Sequence, residues 1–214
     1  MRQTLPFWSW AAKRSRDAFR KQSKIDNYRS RAAYKLLELN QKHRFLKNGF
    51  RVIDLGFAPG SWSQVASRAV GSEGLVVAVD IQNVAPPQGV LPVYGDMLEP
   101  QTRAKIQDAF HQHRQQSKAD DLTVDTVLSD MLHSTTGIRI RDHAVSMDLC
   151  NSAFQLAKTF LRPGGFFVCK YYMGSEEQEF QKSLMKIFKR VHVEKPKASI
   201  KESREAYFVC LGRK

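Results

Sequence analysis

Short apolar runs punctuate this chain at intervals that leave room for one helix between most neighbours, and that rhythm admits few folds. Residues 51–55 (RVIDL), 74–80 (GLVVAVD), 90–94 (VLPVY), 124–130 (VDTVLSD) and 165–170 (GFFVCK) read as strands. Helical patterns fall at 28–43, 61–70, 101–118 and 143–161. Parallel strands need long crossovers, and helices that supply them must cover both faces of the sheet. Near the C-terminus the rhythm changes. A helix at 176–189 is followed by two strand candidates, 191–194 and 205–211, with no helix between them. Such neighbours pair antiparallel. The expected architecture is α/β: seven strands, mainly parallel, with an antiparallel last strand and helices on both faces.

In sheets of this kind, ligands sit beyond the carboxyl ends of the strands, where the strand order reverses. The first strand runs into DLGFAPGSWSQ at 54–64, where Gly56 and Gly60 let backbone approach a ligand that a Cβ would exclude. The second strand ends on Asp80, suited to accept both hydroxyls of a ribose, and Asp96 follows the third, placed for an adenine amino group. The loop is not GxGxxG, so it lacks the full phosphate-binding fingerprint. S-adenosylmethionine has no pyrophosphate to hold, which favours it over a dinucleotide. Trp62 reads equally as a core anchor or as a wall of this pocket.

Charge adds a partner. The chain carries 34 Lys and Arg against 21 Asp and Glu, a formal net charge of +13. Such an excess favours a polyanion, since each neutralised phosphate releases condensed counterions. Much of the basic character lies in residues 1–24, with seven Lys or Arg, one acid (Asp17), and Phe7, Trp8, Trp10 and Phe19 interleaved. Both a mitochondrial targeting segment and an RNA-binding arm have this composition. Residues 25–214 then form a single domain. No apolar run reaches the length of a membrane span. Cys150, Cys169 and Cys210 lie far apart without a CxxC pair and read as buried thiols, and no metal set is indicated.

Several longer motifs now fall in order: RSRAAYKLLEL at 29–39, DLGFAPGSWSQ, VLSD at 127–130, LRPGGFFVCK at 161–170 and SREAYFVCLGRK at 203–214. Together they resemble the FtsJ family of 2'-O-ribose RNA methyltransferases over nearly the whole chain. The resemblance implies a Rossmann-like class I methyltransferase fold and S-adenosylmethionine as donor. It implies Lys35, Asp130, Lys170 and Glu205 as catalytic residues, and Pro59, Gly60, Ser61, Trp62, Asp80, Asp96 and Asp130 as donor-binding residues. One departure is visible: many members follow the fourth-strand aspartate with Met-Ala-Pro-Asn, and here Asp130 precedes Met131, Leu132, His133 and Ser134. IRIRDHAVSMDLC at 138–150 and VCKYYMGSEEQEF at 168–180 look closest to fungal mitochondrial large-subunit rRNA members.

The resemblance therefore implies a monomeric enzyme that methylates a uridine ribose of large-subunit ribosomal RNA, in mitochondria or, alternatively, a bacterial-type cytoplasm. A tRNA ribose methyltransferase and an assembly factor whose RNA binding outweighs its catalysis are the competing readings. For this chemistry Lys170 is the expected base: it ends an apolar strand and acts only when neutral. Lys35, by contrast, falls on the polar face of its helix beside Glu38. His133, His143 and His192 share no spacing and read as structural or RNA-facing.

Overall fold

The computed structural model describes residues 18–112, 123–133, 135–200 and 202–214. Most of the basic segment 1–24, through residue 17, lies outside the described residues. After a helix over residues 18–25 (α1) come α2 (Ala33–His43), β1 (Arg51–Leu55), α3 (Ser61–Val70), β2 (Leu75–Asp80), β3 (Val90–Tyr94) and α4 (Pro100–Gln112). The second half runs β4 (Val124–Ser129), α5 (Arg139–Phe160), β5 (Leu161–Tyr172), α6 (Glu177–Ile187), β6 (Phe188–Glu194) and β7 (Glu205–Arg213).

All seven strands join one sheet in the order β3-β2-β1-β4-β5-β7-β6. Neighbours from β3 through β5 are parallel, and β7 lies antiparallel between β5 and β6. The chain moves outward from β1 to β3, then returns to β4 on the other side of β1. That reversal opens a crevice above the ends of β1 and β4, where Leu55 pairs with Ser129.

Alternation along the strands fills both faces. Ile53, Val77, Phe167 and Phe208 face α4, α5 and α6, while Val52, Val76, Val168 and Tyr207 face α2 and α3. A strand covered on both sides needs apolar residues at every position, which is why β2 is buried throughout. Each large side chain removed from water stabilises the fold by about 1.5–3 kcal/mol. Pro92 lacks a ladder donor, and it is accommodated because β3 is an edge strand.

Three elements differ from the pattern reading. The helix expected from residue 28 begins at Ala33, because the preceding turn is tied to the glycine loop: Arg29 N donates to Gln64 Oε1 at 2.8 Å, and the Ser30 and Ser61 hydroxyls lie 2.5 Å apart. Helix α5 starts four residues before the expected His143. Asp142 accepts from Thr136 N at 2.8 Å and Gly137 N at 3.1 Å, which anchors the incoming chain on its first turn. The Arg-Pro-Gly-Gly stretch does not separate α5 from β5. It bulges within the strand, where pairing steps from Val124–Leu161 to Thr126–Phe166.

Candidate active site

Above the crevice lies a cavity of about 460 Å³, within the size range of small-molecule sites. Gly56, Asp80, Asp96, Asp130 and Lys170 all line it. Gly56 has a φ of +72°, and a Cβ there would lie 2.4 Å from Met131 Cγ and 3.1 Å from its Cα. Only glycine lets the first loop lie against the chain leaving β4. Beneath the loop Asp54 is fully buried and accepts from the Ser63 hydroxyl at 2.5 Å. Burial pushes its carboxyl up to about 7; Ser63 pulls the other way, and the charges of Asp130 and Asp80 push it further up.

Asp80 is clamped rather than loose. Its Oδ2 accepts from Ala58 N at 2.9 Å and its Oδ1 from Gln82 N at 2.8 Å. Each carboxylate oxygen has a second lone pair, so the group keeps capacity for a diol. Asp96 accepts from Leu98 N at 2.9 Å and is exposed at the cavity edge. An acid held beneath the cavity floor and a second at its rim fit the nucleoside half of S-adenosylmethionine.

Pro59, Gly60, Ser61 and Trp62 fasten the loop to the turn before α2. Pro59 O accepts from Arg29 Nη1 at 2.8 Å, and Arg29 also donates to the carbonyls of Ala85 and Pro86. A Cβ on Gly60 would meet Pro87 Cγ at 2.9 Å and Arg29 Nη1 at 3.0 Å. Trp62 is buried, donates to Ala32 O at 3.0 Å and stacks on Tyr207 with ring centroids 5.7 Å apart. Trp62 is thereby packed into the core. Arg29 spends its donors on the protein's own backbone.

The four residues Lys35, Asp130, Lys170 and Glu205 come together as two ion pairs. Lys170 Nζ lies 3.0 Å from Asp130 Oδ1 and donates to the Asp130 carbonyl at 2.6 Å. Lys35 Nζ lies 2.6 Å from Glu205 Oε1. Helix α2 brings Lys35 to the sheet as a buried side chain, although its helix position reads as polar. Burial alone would raise the Glu205 carboxyl, but the Lys35 charge and hydrogen bond, with help from Ser199 and Lys170, hold it below the ordinary glutamate value.

Tyr207 joins the two pairs. It sits opposite Lys170 in the β5–β7 register, donates to Asp130 Oδ1 at 3.0 Å, and its ring lies 6.0 Å from Lys35 Nζ. Burial, then the Asp130 and Glu205 charges, push its hydroxyl well above the usual phenol value, so it is a fixed neutral donor. The sequence reading missed it. The available signal was the period of two along β7, which puts residue 207 on the face of residue 205.

His143 is structural: Nδ1 lies 2.6 Å from Tyr172 O, and Nε2 accepts from Glu176 N at 3.1 Å. His192 packs against His43 at 4.8 Å, and burial followed by the neighbouring imidazole lowers its pKa. His133 walls the cavity. All three cysteines are buried thiols. Among the described residues no cluster of three metal-ligating side chains occurs, and no helix is long and apolar enough to cross a membrane.

Comparison with known proteins agrees with this geometry. The pattern of the FtsJ-like methyltransferase family matches residues 28–213. The chain is 59% identical over 210 residues to the mitochondrial rRNA methyltransferase 2 of Schizosaccharomyces pombe, covering 97% of this chain and 96% of that protein. It is 40% identical over 202 residues to the ribosomal RNA large subunit methyltransferase E of Pelagibacter ubique, covering 94% of each. A crystal structure described as a ribosomal RNA methyltransferase from Plasmodium falciparum superposes with a TM-score of 0.75 at 30% identity, over 87% of this chain and 98% of that one.

Proposed function

The chain belongs to the FtsJ-like methyltransferase family, and from that premise we propose that it methylates the 2'-hydroxyl of a uridine in large-subunit ribosomal RNA. It is a methyltransferase that uses S-adenosylmethionine. The observation that carries the ribose assignment is the pairing of Lys170 with Asp130 at the mouth of the donor cavity. The donor supplies a methyl group already activated on a sulfonium, so the protein's task is to align the acceptor and take its proton. Lys170 holds a position to receive that proton, and Asp130 fixes its Nζ from two sides. Lys35, Glu205 and Tyr207 complete a polar wall in which each charge has an opposite partner.

The relatives' names and the +13 charge support ribosomal RNA within the large subunit as substrate. The S. pombe relative and the basic N-terminal segment support a mitochondrial location over a bacterial-type cytoplasm. The charge and aromatic content of residues 1–24 suit an RNA-binding arm as well as a targeting segment. Deleting them lowers RNA affinity and flattens its dependence on salt, with donor binding intact. Unchanged affinity and slope would leave targeting as their role, which a reporter fusion reads directly.

Donor binding depends on Asp80. Asp80→Ala removes an acceptor of charge-assisted hydrogen bonds, typically a loss of about 1.5–3 kcal/mol. Titration calorimetry with S-adenosylmethionine is expected to show that weakening in a folded protein. Undiminished affinity would take Asp80 out of the site. The function itself is tested by nucleotide-resolution mapping of 2'-O-methylation in ribosomal RNA from cells with and without the protein. One large-subunit uridine should lose its mark. An unaltered ribosomal RNA map with a lost tRNA mark would overturn the assignment.

A further inference from the structure

Leu132 and His133 wall the donor cavity on one side and a second, smaller cavity on the other. The second measures about 90 Å³ and is lined further by Thr136, Arg141, Asp142, Val145 and Tyr172, the Asp142 carboxylate already accepting from Thr136 and Gly137. Leu132 is half exposed, a large apolar side chain facing solvent at its mouth. Tyr172 stands two residues beyond Lys170 on β5, so the two side chains share a sheet face roughly 6.5–7 Å apart. Opposite Tyr172 in the register is Glu205. Burial raises the Tyr172 hydroxyl, and Glu205, Asp142 and Asp130 raise it further, as expected for a ring standing among these acids.

A nucleotide whose 2'-oxygen meets Lys170 carries its base on the adjacent ribose carbon, within a few ångströms of that oxygen. One side of Lys170 is the donor cavity. The small cavity is reached from Lys170 through Tyr172, two residues on along the same strand. We propose that the cavity bounded by Leu132, Arg141, Val145 and Tyr172 receives the base of the target nucleotide and selects a pyrimidine. The proposal rests on the ribose-methylation reading above. Three features support the choice of ligand. The volume suits one ring rather than two. Tyr172 offers an aromatic surface of the kind on which unpaired bases stack. Arg141 carries only donors, matching the two carbonyl oxygens of uracil. Leu132 and His133, two of the residues at which this chain departs from Met-Ala-Pro-Asn, line both cavities.

The test uses large ribosomal subunits from cells lacking the protein, labelled S-adenosylmethionine, and the full chain with Tyr172→Ala, Tyr172→Phe or Val145→Phe. Losing the stacking surface in Tyr172→Ala should lower kcat/KM for the subunit by roughly ten- to a hundredfold. Tyr172→Phe keeps the ring and should stay within about threefold of wild type. Val145→Phe fills the cavity from α5 and should reduce kcat/KM about tenfold or more. Donor affinity by calorimetry should be unchanged in all three variants, which separates a base subsite from a general disturbance of the fold. Subunits with a purine at the methylated position should react about tenfold more slowly or worse. Wild-type rates in Tyr172→Ala and Val145→Phe, or equal rates on a purine, would overturn the proposal. Wild-type protein that leaves such subunits unmethylated would overturn the ribose-methylation reading, and the subsite with it.

Discussion

Lys170→Ala is expected to lose the general-base contribution, on the order of 10²–10⁴-fold in rate, while donor and RNA still bind. The geometry argues for so large an effect. Lys170 Nζ lies on the cavity wall within reach of the Asp130 carbonyl oxygen and Oδ1, and its strand, β5, is held between β4 and β7. Lys170→Arg is expected to fail as well, since a guanidinium keeps its proton at any working pH. Only a neutral amine accepts a proton, so the wild-type rate should rise with pH. Single-turnover methylation with pre-bound donor and RNA reads the chemical step alone. Near-normal turnover in the Arg variant would mean that Lys170 only positions the ribose and that another acceptor takes the proton.

Lys35→Met is expected to cost stability as well as activity. It removes the cation paired with buried Glu205, and breaking a buried pair from one side typically destabilises by about 3–5 kcal/mol. Both side chains are mostly removed from solvent, 9% and 12% exposed, so the pair is not discounted as a surface contact. Replacing both residues, Lys35→Met with Glu205→Leu, removes the orphaned charge and should recover part of the loss. Urea unfolding at pH 7 reads both effects. The acid limb carries a further signature. The folded pKa of Glu205 lies below its ordinary 4.5, so its contribution is present above that value and fades as pH falls through the lowered one. Without Lys35 only Ser199 and Lys170 oppose the burial effect, and mild acidification should then destabilise the variant less than the wild type. A single-variant loss under about 1 kcal/mol would place the pair in effectively aqueous surroundings.

Much of the fold was legible because a parallel sheet buried on both faces writes itself as continuous apolar runs, and VVAVD or VLSD cannot easily be anything else. The acids at the ends of those runs were legible too, since topology alone puts Asp80, Asp96 and Asp130 at one sheet edge. Less visible was whatever depends on contacts across the chain. Lys35 sits on a helix face that reads as solvated, yet it is buried because β7 delivers Glu205 to it from 170 positions away. Tyr207 looks like one more aromatic in an apolar strand until register sets it opposite Lys170. Spacing also could not show that Trp62 donates to Ala32 O across the fold. Equally hidden was the tie between the loop and the turn before α2, which depends on Arg29 gripping three carbonyls.

The central claim is that this site transfers a methyl group to a ribose oxygen of large-subunit ribosomal RNA. The direct measurement incubates purified protein with large subunits lacking the modification and with labelled S-adenosylmethionine, then digests the RNA to nucleosides and identifies the labelled one by mass. The expected product is 2'-O-methyluridine from large-subunit ribosomal RNA, absent when Lys170→Ala replaces the wild type. Label on a base, or no label in subunits incubated with a protein that demonstrably binds the donor, would contradict it.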